Sequence, residues 1–143
     1  MNLPHGEYEI DDALARIDFA RVHSWLETTY WSPGIPRARV ERAAAGSSLV
    51  IGAYQRDQQV AYCRVVSDRA TFAWLADVFV DPNHRSRGLA KAMVQFALAH
   101  PDHQGLRRWV LATADAHPIY AACGFQPLFE PEKWMVRLLA RPS

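Results

Sequence analysis

The sequence predicts a mixed α/β (α+β) domain, one central sheet with helices on both faces, and three observations carry that expectation. Between Leu49 and Val80 three apolar, strand-like runs follow one another through short polar turns, the pattern of an antiparallel meander. From Val78 onward a strand, a helix and a strand succeed each other, which implies a parallel pair joined by a right-handed crossover. The chain has 143 residues, close to the usual size of one domain, and no linker, internal repeat or low-complexity tract divides it. The expectation is a single domain over 1–143 with a mixed sheet of about six to seven strands.

The elements follow in order. A short strand, Tyr8 to Ile10, precedes a helix that Asp18 can cap, with Val22, Trp25 and Leu26 at helical spacing. Two prolines and a glycine in Tyr30-Trp31-Ser32-Pro33-Gly34-Ile35-Pro36 forbid regular structure. Pro36 suits the first turn of a helix from Arg37 to Ala45, closed by Gly46. Leu49 to Tyr54 is the first strand of the meander. Arg56-Asp57-Gln58-Gln59 turns the chain into Val60 to Val66, and Arg69-Ala70 turns it again into Thr71 to Val80. Asp81-Pro82-Asn83-His84 breaks that strand. A helix from about Arg87 to Ala99 follows, with Leu89, Ala92, Met93, Phe96 and Ala97 on one face, ended by Pro101 and Gly105. Trp109 to Thr113 reads as a buried strand, about Asp115 to Ala122 as a short helix ending at Gly124. Phe125 to Phe129 and Trp134 to Leu139 read as two last short strands.

Composition narrows the function classes. Sixteen basic and fifteen acidic residues leave a formal charge of +1, which argues against nucleic-acid binding through a bulk basic field. Half the residues are hydrophobic and 22% are charged, too apolar for disorder. No apolar run approaches the ~18 residues of a membrane span. Met1 to Ile10 lack a basic start followed by an apolar stretch, so no signal peptide is expected. Two cysteines, Cys63 and Cys123, are too few for a disulfide scaffold and read as reduced thiols of a cytoplasmic protein.

Chemistry concentrates in Val78-Phe79-Val80-Asp81-Pro82-Asn83-His84-Arg85-Ser86-Arg87-Gly88-Leu89-Ala90. The first amides of a helix lack intrahelical acceptors, and its dipole places partial positive charge there. Gly88 lets an anion approach the backbone, and Arg85, Arg87 and Lys91 add charge, so the segment reads as a phosphate or pyrophosphate site. An ordinary helix start with solvated arginines stands beside that reading. Neither GxxxxGK[ST] nor GxGxxG is present.

Arg85-Ser86-Arg87-Gly88-Leu89-Ala90 resembles the Arg/Gln-x-x-Gly-x-Gly/Ala signature of the GNAT N-acetyltransferases, with Ala90 at a position where glycine also occurs. Val78-Phe79-Val80-Asp81-Pro82 resembles the strand that leads into it, and Tyr120-Ala121-Ala122-Cys123-Gly124-Phe125 is similar to the family's Tyr-x-x-x-Gly-Phe segment. The resemblance spans about Trp31 to Val136. It implies a GNAT fold in which two parallel strands splay apart to hold acetyl-CoA as co-substrate. Amides from Ser86 to Ala90 would hold the pyrophosphate, and the backbone of Val78, Phe79 and Val80 would pair with the pantetheine arm. An amide at Val78 or Phe79 would stabilise the oxyanion.

The resemblance also puts the family's general acid at Tyr120, whose phenol is protonated at neutral pH; packing under the last helix is its bland reading. In Phe72-Ala73-Trp74-Leu75-Ala76-Asp77 no glutamate offers a base. Asp77, the only charge between Thr71 and Val80, is either a paired structural carboxylate or an anchor for a substrate amine. His117 is a second candidate near the acceptor, with a solvated surface histidine as its alternative. Tyr30 and Trp31 are expected to wall the acceptor pocket, the alternative for Trp31 being to fill the core with Trp25; Glu27 and Tyr62 are weaker candidates. His100-Pro101-Asp102-His103 reads as a surface turn, and no metal is expected. Cys123 shows no activating partner, and Arg107-Arg108 either helps hold a phosphate or ends a strand in solvent. The implied activity is direct acetyl transfer from acetyl-CoA to a primary amine of a small molecule. Acetylation of a protein amine and a catalytically silent acyl-CoA-binding domain are the alternatives. Edge strands near the C terminus make a homodimer possible.

Overall fold

Among the described residues six strands form one sheet in sequence order, and helices cover both of its faces. The computed structural model describes residues 1–140. β1 (Asn2–His5) and β2 (Tyr8–Asp11) make an antiparallel hairpin. α1 (Phe19–Leu26) and α2 (Arg37–Ala45) follow, then the meander of β3 (Leu49–Gln55), β4 (Gln58–Ser67) and β5 (Phe72–Val80). α3 (Leu89–Ala99) crosses back to β6 (Arg108–Val110), which runs parallel to β5, and α4 (His117–Ala121) comes last. Among the described residues no helix is long and apolar enough to cross a membrane.

Local chemistry sets these elements. The Asp18 side chain accepts from the Arg21 amide at 3.1 Å and starts α1, satisfying a donor the helix cannot. The β4–β5 turn closes on Asp68, whose carboxylate accepts from the amides of Ala70, Thr71 and Phe72 and from the Thr71 hydroxyl. Those bonds, led by the hydroxyl, hold it well below the usual carboxylate range. β4 is buried from Val60 to Cys63 because both faces of the sheet are covered there. On one face Ile51, Ala53, Ala61, Cys63 and Val65 pack with Leu89, Met93, Val94 and Phe96 of α3. On the other, Val50 and Tyr62 meet Val22, Trp25 and Leu26 of α1 and Val40 of α2. A large apolar side chain so enclosed contributes about 1.5–3 kcal/mol.

Four expectations need correction. β1 precedes the first expected strand: it is an exposed edge containing Pro4, and such strands carry little apolar alternation. α3 starts at Leu89 because Gly88 takes left-handed backbone at φ +75. β6 stops at Val110, short of Thr113, because β5 supplies no partner past Trp74. The two C-terminal strands do not form: the described residues after α4 contain only a short 3-10 turn, Pro131–Lys133. Both stretches are mostly apolar, but a strand needs a neighbour to take its hydrogen bonds, and Pro127 and Pro131 remove two donors.

Gly52 fits β3 for a reason of space. A Cβ there would lie 2.5 Å from the hydroxyl oxygen of Tyr54, whose ring is buried and capped by the Arg16 guanidinium 3.9 Å from its centroid. With the ring unable to move aside, Gly52→Ala is expected to cost about 1–3 kcal/mol, read as a melting temperature several degrees lower. An unchanged melting temperature would mean that the Tyr54 ring is free to shift.

Candidate active site

The sheet comes apart at one residue. β5 and β6 pair only through Phe72, Ala73 and Trp74. A little further along, the β4–β5 register slips: Ala76 faces Arg64 but Phe79 faces Tyr62, so Asp77 and Val78 together oppose Cys63. Asp77 takes φ +57, left-handed backbone that aspartate tolerates better than most residues and that bends a bulged strand. Both carboxylate oxygens are engaged. Oδ2 accepts from Arg64 Nε at 2.7 Å, and Oδ1 accepts from Trp31 Nε1 at 3.0 Å. The bulge is thereby tied to β4 and to the loop after α1.

Between the parted strands lies a cleft of about 1060 Å³. Residues 76–80 of β5 form one wall, residues 111–113 after β6 the opposite one, and the start of α3 closes an end. The first hydrogen bond of α3 runs from the Ala92 amide to the Gly88 carbonyl, so the amides of Leu89, Ala90 and Lys91 have no intrahelical acceptor. No side chain caps them. Ser86 and Gly88, at φ +63 and +75, curl the preceding loop around the same point. The β1–β2 hairpin supports that loop from behind. His5 Nε2 donates to the Arg87 carbonyl at 2.9 Å, Tyr8 Oη and His84 Nδ1 share a hydrogen bond of 2.9 Å, and Arg87 pairs with Glu7 at 3.3 Å. Arg85 folds over Phe79 and its Nε donates to the Val80 carbonyl.

Tyr120 of α4 faces the cleft with its ring edge-on to Phe125. Burial pushes its phenol up to about 12. Across the cleft, Tyr30 Oη accepts from the Ala114 amide at 2.8 Å, which bridges the loop after α1 to the loop after β6. The cleft thus gathers Tyr30, Trp31, Asp77, Val78, Phe79, Val80, Arg85, Ser86, Gly88, Leu89, Ala90 and Tyr120. It does not gather Arg87, which turns outward to Glu7, or His117, which borders a separate groove. His117 opens α4 and Tyr120 lies three residues later in it. Trp25 belongs to the core, stacked on Phe79 at 5.5 Å.

Arg64 and Trp74 also line the cleft and are absent from the sequence-based candidates. Arg64 did carry a signal, as the only charge in the apolar run from Val60 to Val66. Outside the cleft, His100 Nε2 lies 2.8 Å from Asp12 Oδ2 and His103 Nε2 lies 2.8 Å from Ser48 Oγ. Among the described residues no group of three histidine, cysteine or acidic side chains is placed to hold a metal ion. Burial raises the Cys123 thiol above its usual range.

Residues 46–127 match the family pattern of the acetyltransferase (GNAT) domain. The chain belongs to the GNAT family. A GNAT-family protein of Xanthomonas campestris pv. campestris has the same fold with a TM-score of 0.89 and 45% identity, over 96% of this chain and 95% of its own. A protein of Gibberella zeae named as an acetyltransferase is 28% identical over 80% of this chain and 76% of its own length. Glucosamine-6-phosphate N-acetyltransferase of Arabidopsis thaliana shares the GNAT fold at 15% identity, with a TM-score of 0.63 over 93% and 99% of the two chains.

The bulge gives a direct test. Asp77→Ala removes both bonds, leaves Arg64 short of its anion and puts alanine in left-handed backbone; a loss of about 2–4 kcal/mol in chemical denaturation is expected. Asp77→Asn keeps a residue suited to that backbone and is expected to lose about half as much. Equal losses would show that backbone conformation contributes nothing to the difference.

Proposed function

We propose that the protein transfers an acetyl group from acetyl-CoA to a primary amine of a small molecule, by direct attack and without a covalent enzyme intermediate. The observation that carries the reading is the set of uncapped amides at Leu89, Ala90 and Lys91 opening into the cleft that Tyr120 also faces. An anion is the ligand those amides lack, and Ser86 and Gly88 leave backbone rather than side chain at the point of contact. Acetyl-CoA would supply the diphosphate for this cradle and the thioester for the reaction. The edge of Val78, Phe79 and Val80 away from β4 has backbone groups to offer an extended ligand, as an added strand would use them, once Arg85 releases the Val80 carbonyl.

Each residue then has a task. A backbone amide at the bulge, from Val78 or Phe79, stabilises the oxyanion as the amine nitrogen bonds to the carbonyl carbon. As the carbon–sulfur bond breaks, Tyr120 gives its proton to the departing sulfur and regains one from water. The ammonium proton of the attacking amine leaves to solvent. Asp77 is a positioning residue in this scheme. Both its oxygens already accept hydrogen bonds, and it holds Trp31 at the acceptor end and Arg64 beside it. Trp31, Trp74 and Tyr30 give that end an aromatic lining, and the Tyr30–Ala114 bond ties the loop after α1 to the loop after β6. A compact acceptor suits a cleft lined in this way.

Calorimetry with CoA and an amine screen with thiol-release detection test the reading. Saturable heat and acceptor-dependent thiol release are expected; heat without release from any amine would leave a binding module, and no heat would remove the anion cradle. Tyr120→Phe should lower turnover by roughly 10²-fold with little change in CoA affinity. Because the phenol stays protonated until about 12, the wild-type turnover profile should show no descending alkaline limb below roughly pH 10. A limb centred near pH 8 that Tyr120→Phe abolishes would contradict the raised value.

A further inference from the structure

Arg64 offers more hydrogen bonds than the fold takes from it. Its side chain is only 20% exposed, yet Asp77 engages it through one nitrogen, Nε, at 2.7 Å. A two-bond pairing of guanidinium and carboxylate would use both oxygens. It does not form here, because the second oxygen of Asp77 accepts from Trp31 Nε1. Nη1 has a long contact of 3.4 Å with Ser47 Oγ, whose own proton goes to the Ala43 carbonyl. Nη2 has no acceptor among the described residues. Asp77 thus balances the charge of Arg64 and leaves most of its donors unused. Donors held largely out of water gain most from a new acceptor.

The strand register shows where that acceptor would enter. Arg64 faces Ala76 across the β4–β5 pair, and both residues line the cleft. Side chains opposite each other share one face of a sheet, so the methyl group of Ala76 leaves room beside the guanidinium. Trp31, edge-on to Tyr30 at 5.0 Å, and Trp74, 39% exposed, line the cleft at the same end. The other cations of the lining, Arg85 and Lys91, stand around the start of α3. Arg64 is therefore the cation of the acceptor end.

We infer that the acceptor is an amino acid, its carboxylate bound by Nη1 and Nη2 of Arg64 and its side chain set against the aromatic wall. The inference rests on the acetyl-transfer reading and narrows its acceptor. A flat, singly charged carboxylate matches the fork of a guanidinium. A phosphate would bring a second negative charge close to Asp77, which like charges disfavour. Asp77, bonded to the guanidinium, directly precedes Val78, whose amide is a candidate oxyanion donor. Anion site and reacting carbonyl are thus tied to consecutive residues, a spacing suited to an amine and a carboxylate on one α-carbon.

Phenylalanine, leucine and methionine, each beside its own amide, isolate the carboxylate because amine and side chain are shared. In a thiol-release assay the best of these acids should exceed its amide in kcat/KM by at least ~10-fold, although the amide's amine gives up its proton more readily. Binding needs no turnover: in calorimetry with and without CoA, the N-acetylated acid should bind at least ~10-fold more tightly than the N-acetylated amide. Arg64→Lys keeps a charge beside Asp77 but not the fork, and should bring both ratios toward one. Transfer to amines with no preference for a carboxylate would overturn the inference and leave the transfer reading standing. Carboxylate-selective binding without thiol release from any amine would support Arg64 as the anion site and overturn the transfer reading. Wild-type ratios near one, or ratios unchanged in Arg64→Lys, would overturn the assignment to Arg64.

Discussion

The pairing of Asp77 with Arg64 governs where this sheet opens. A regular β5 would continue beside β6, and the space between them would hold hydrogen bonds instead of a cleft. One extra residue at the bulge bends β5, and the bulge needs left-handed backbone at a residue with a side chain. Strain of that kind persists only where the surroundings hold it. Here they do so with a guanidinium from β4 and an indole from the loop after α1. The cleft is therefore a property of three segments acting on one carboxylate, and the surrounding core is arranged to leave it open. β4 is buried from Val60 to Cys63 and cannot yield, whereas in β5 only Ala73 and Leu75 are buried.

The charge distribution is local in the same way. A formal charge of +1 gives the molecule no long-range field of consequence, and several basic groups are already matched: Arg21 to Asp81, Arg64 to Asp77, Arg87 to Glu7. What the cleft presents to an anion is chiefly oriented backbone at the start of α3, supplemented by Lys91 and Arg85. Oriented amides are fixed by the fold, so they lose no side-chain freedom when a ligand arrives.

Much of this architecture is legible in the amino-acid order, for identifiable reasons. α1 and α2 announce themselves through Asp18, Pro36 and Gly46, and the meander through apolar runs separated by polar turns. The parallel pair follows from strand–helix–strand succession. The site is legible in part, because the glycine and the segment around it keep their neighbours in sequence when folded. The rest depends on contacts across long sequence separations. Nothing near Arg87 shows that its charge belongs to Glu7, eighty residues earlier. Nothing near His117 shows that α4 directs it to the groove. The Asp77 alternatives could be stated from sequence, but only the bonds from Trp31 and Arg64 show both oxygens engaged. The apolar stretches at 125–129 and 134–139 suggest strands, but pairing depends on a neighbour that sequence order does not reveal, and none forms among the described residues.

The hairpin at the start of the chain has an influence out of proportion to its size. It contributes no wall to the cleft, yet His5, Glu7 and Tyr8 grip the loop that curls into α3 from its far side. That loop is a shell of peptide planes only as stiff as its backing. Lengthening, tagging or trimming the first few residues would slacken a loop more than eighty positions away, without touching any residue of that loop.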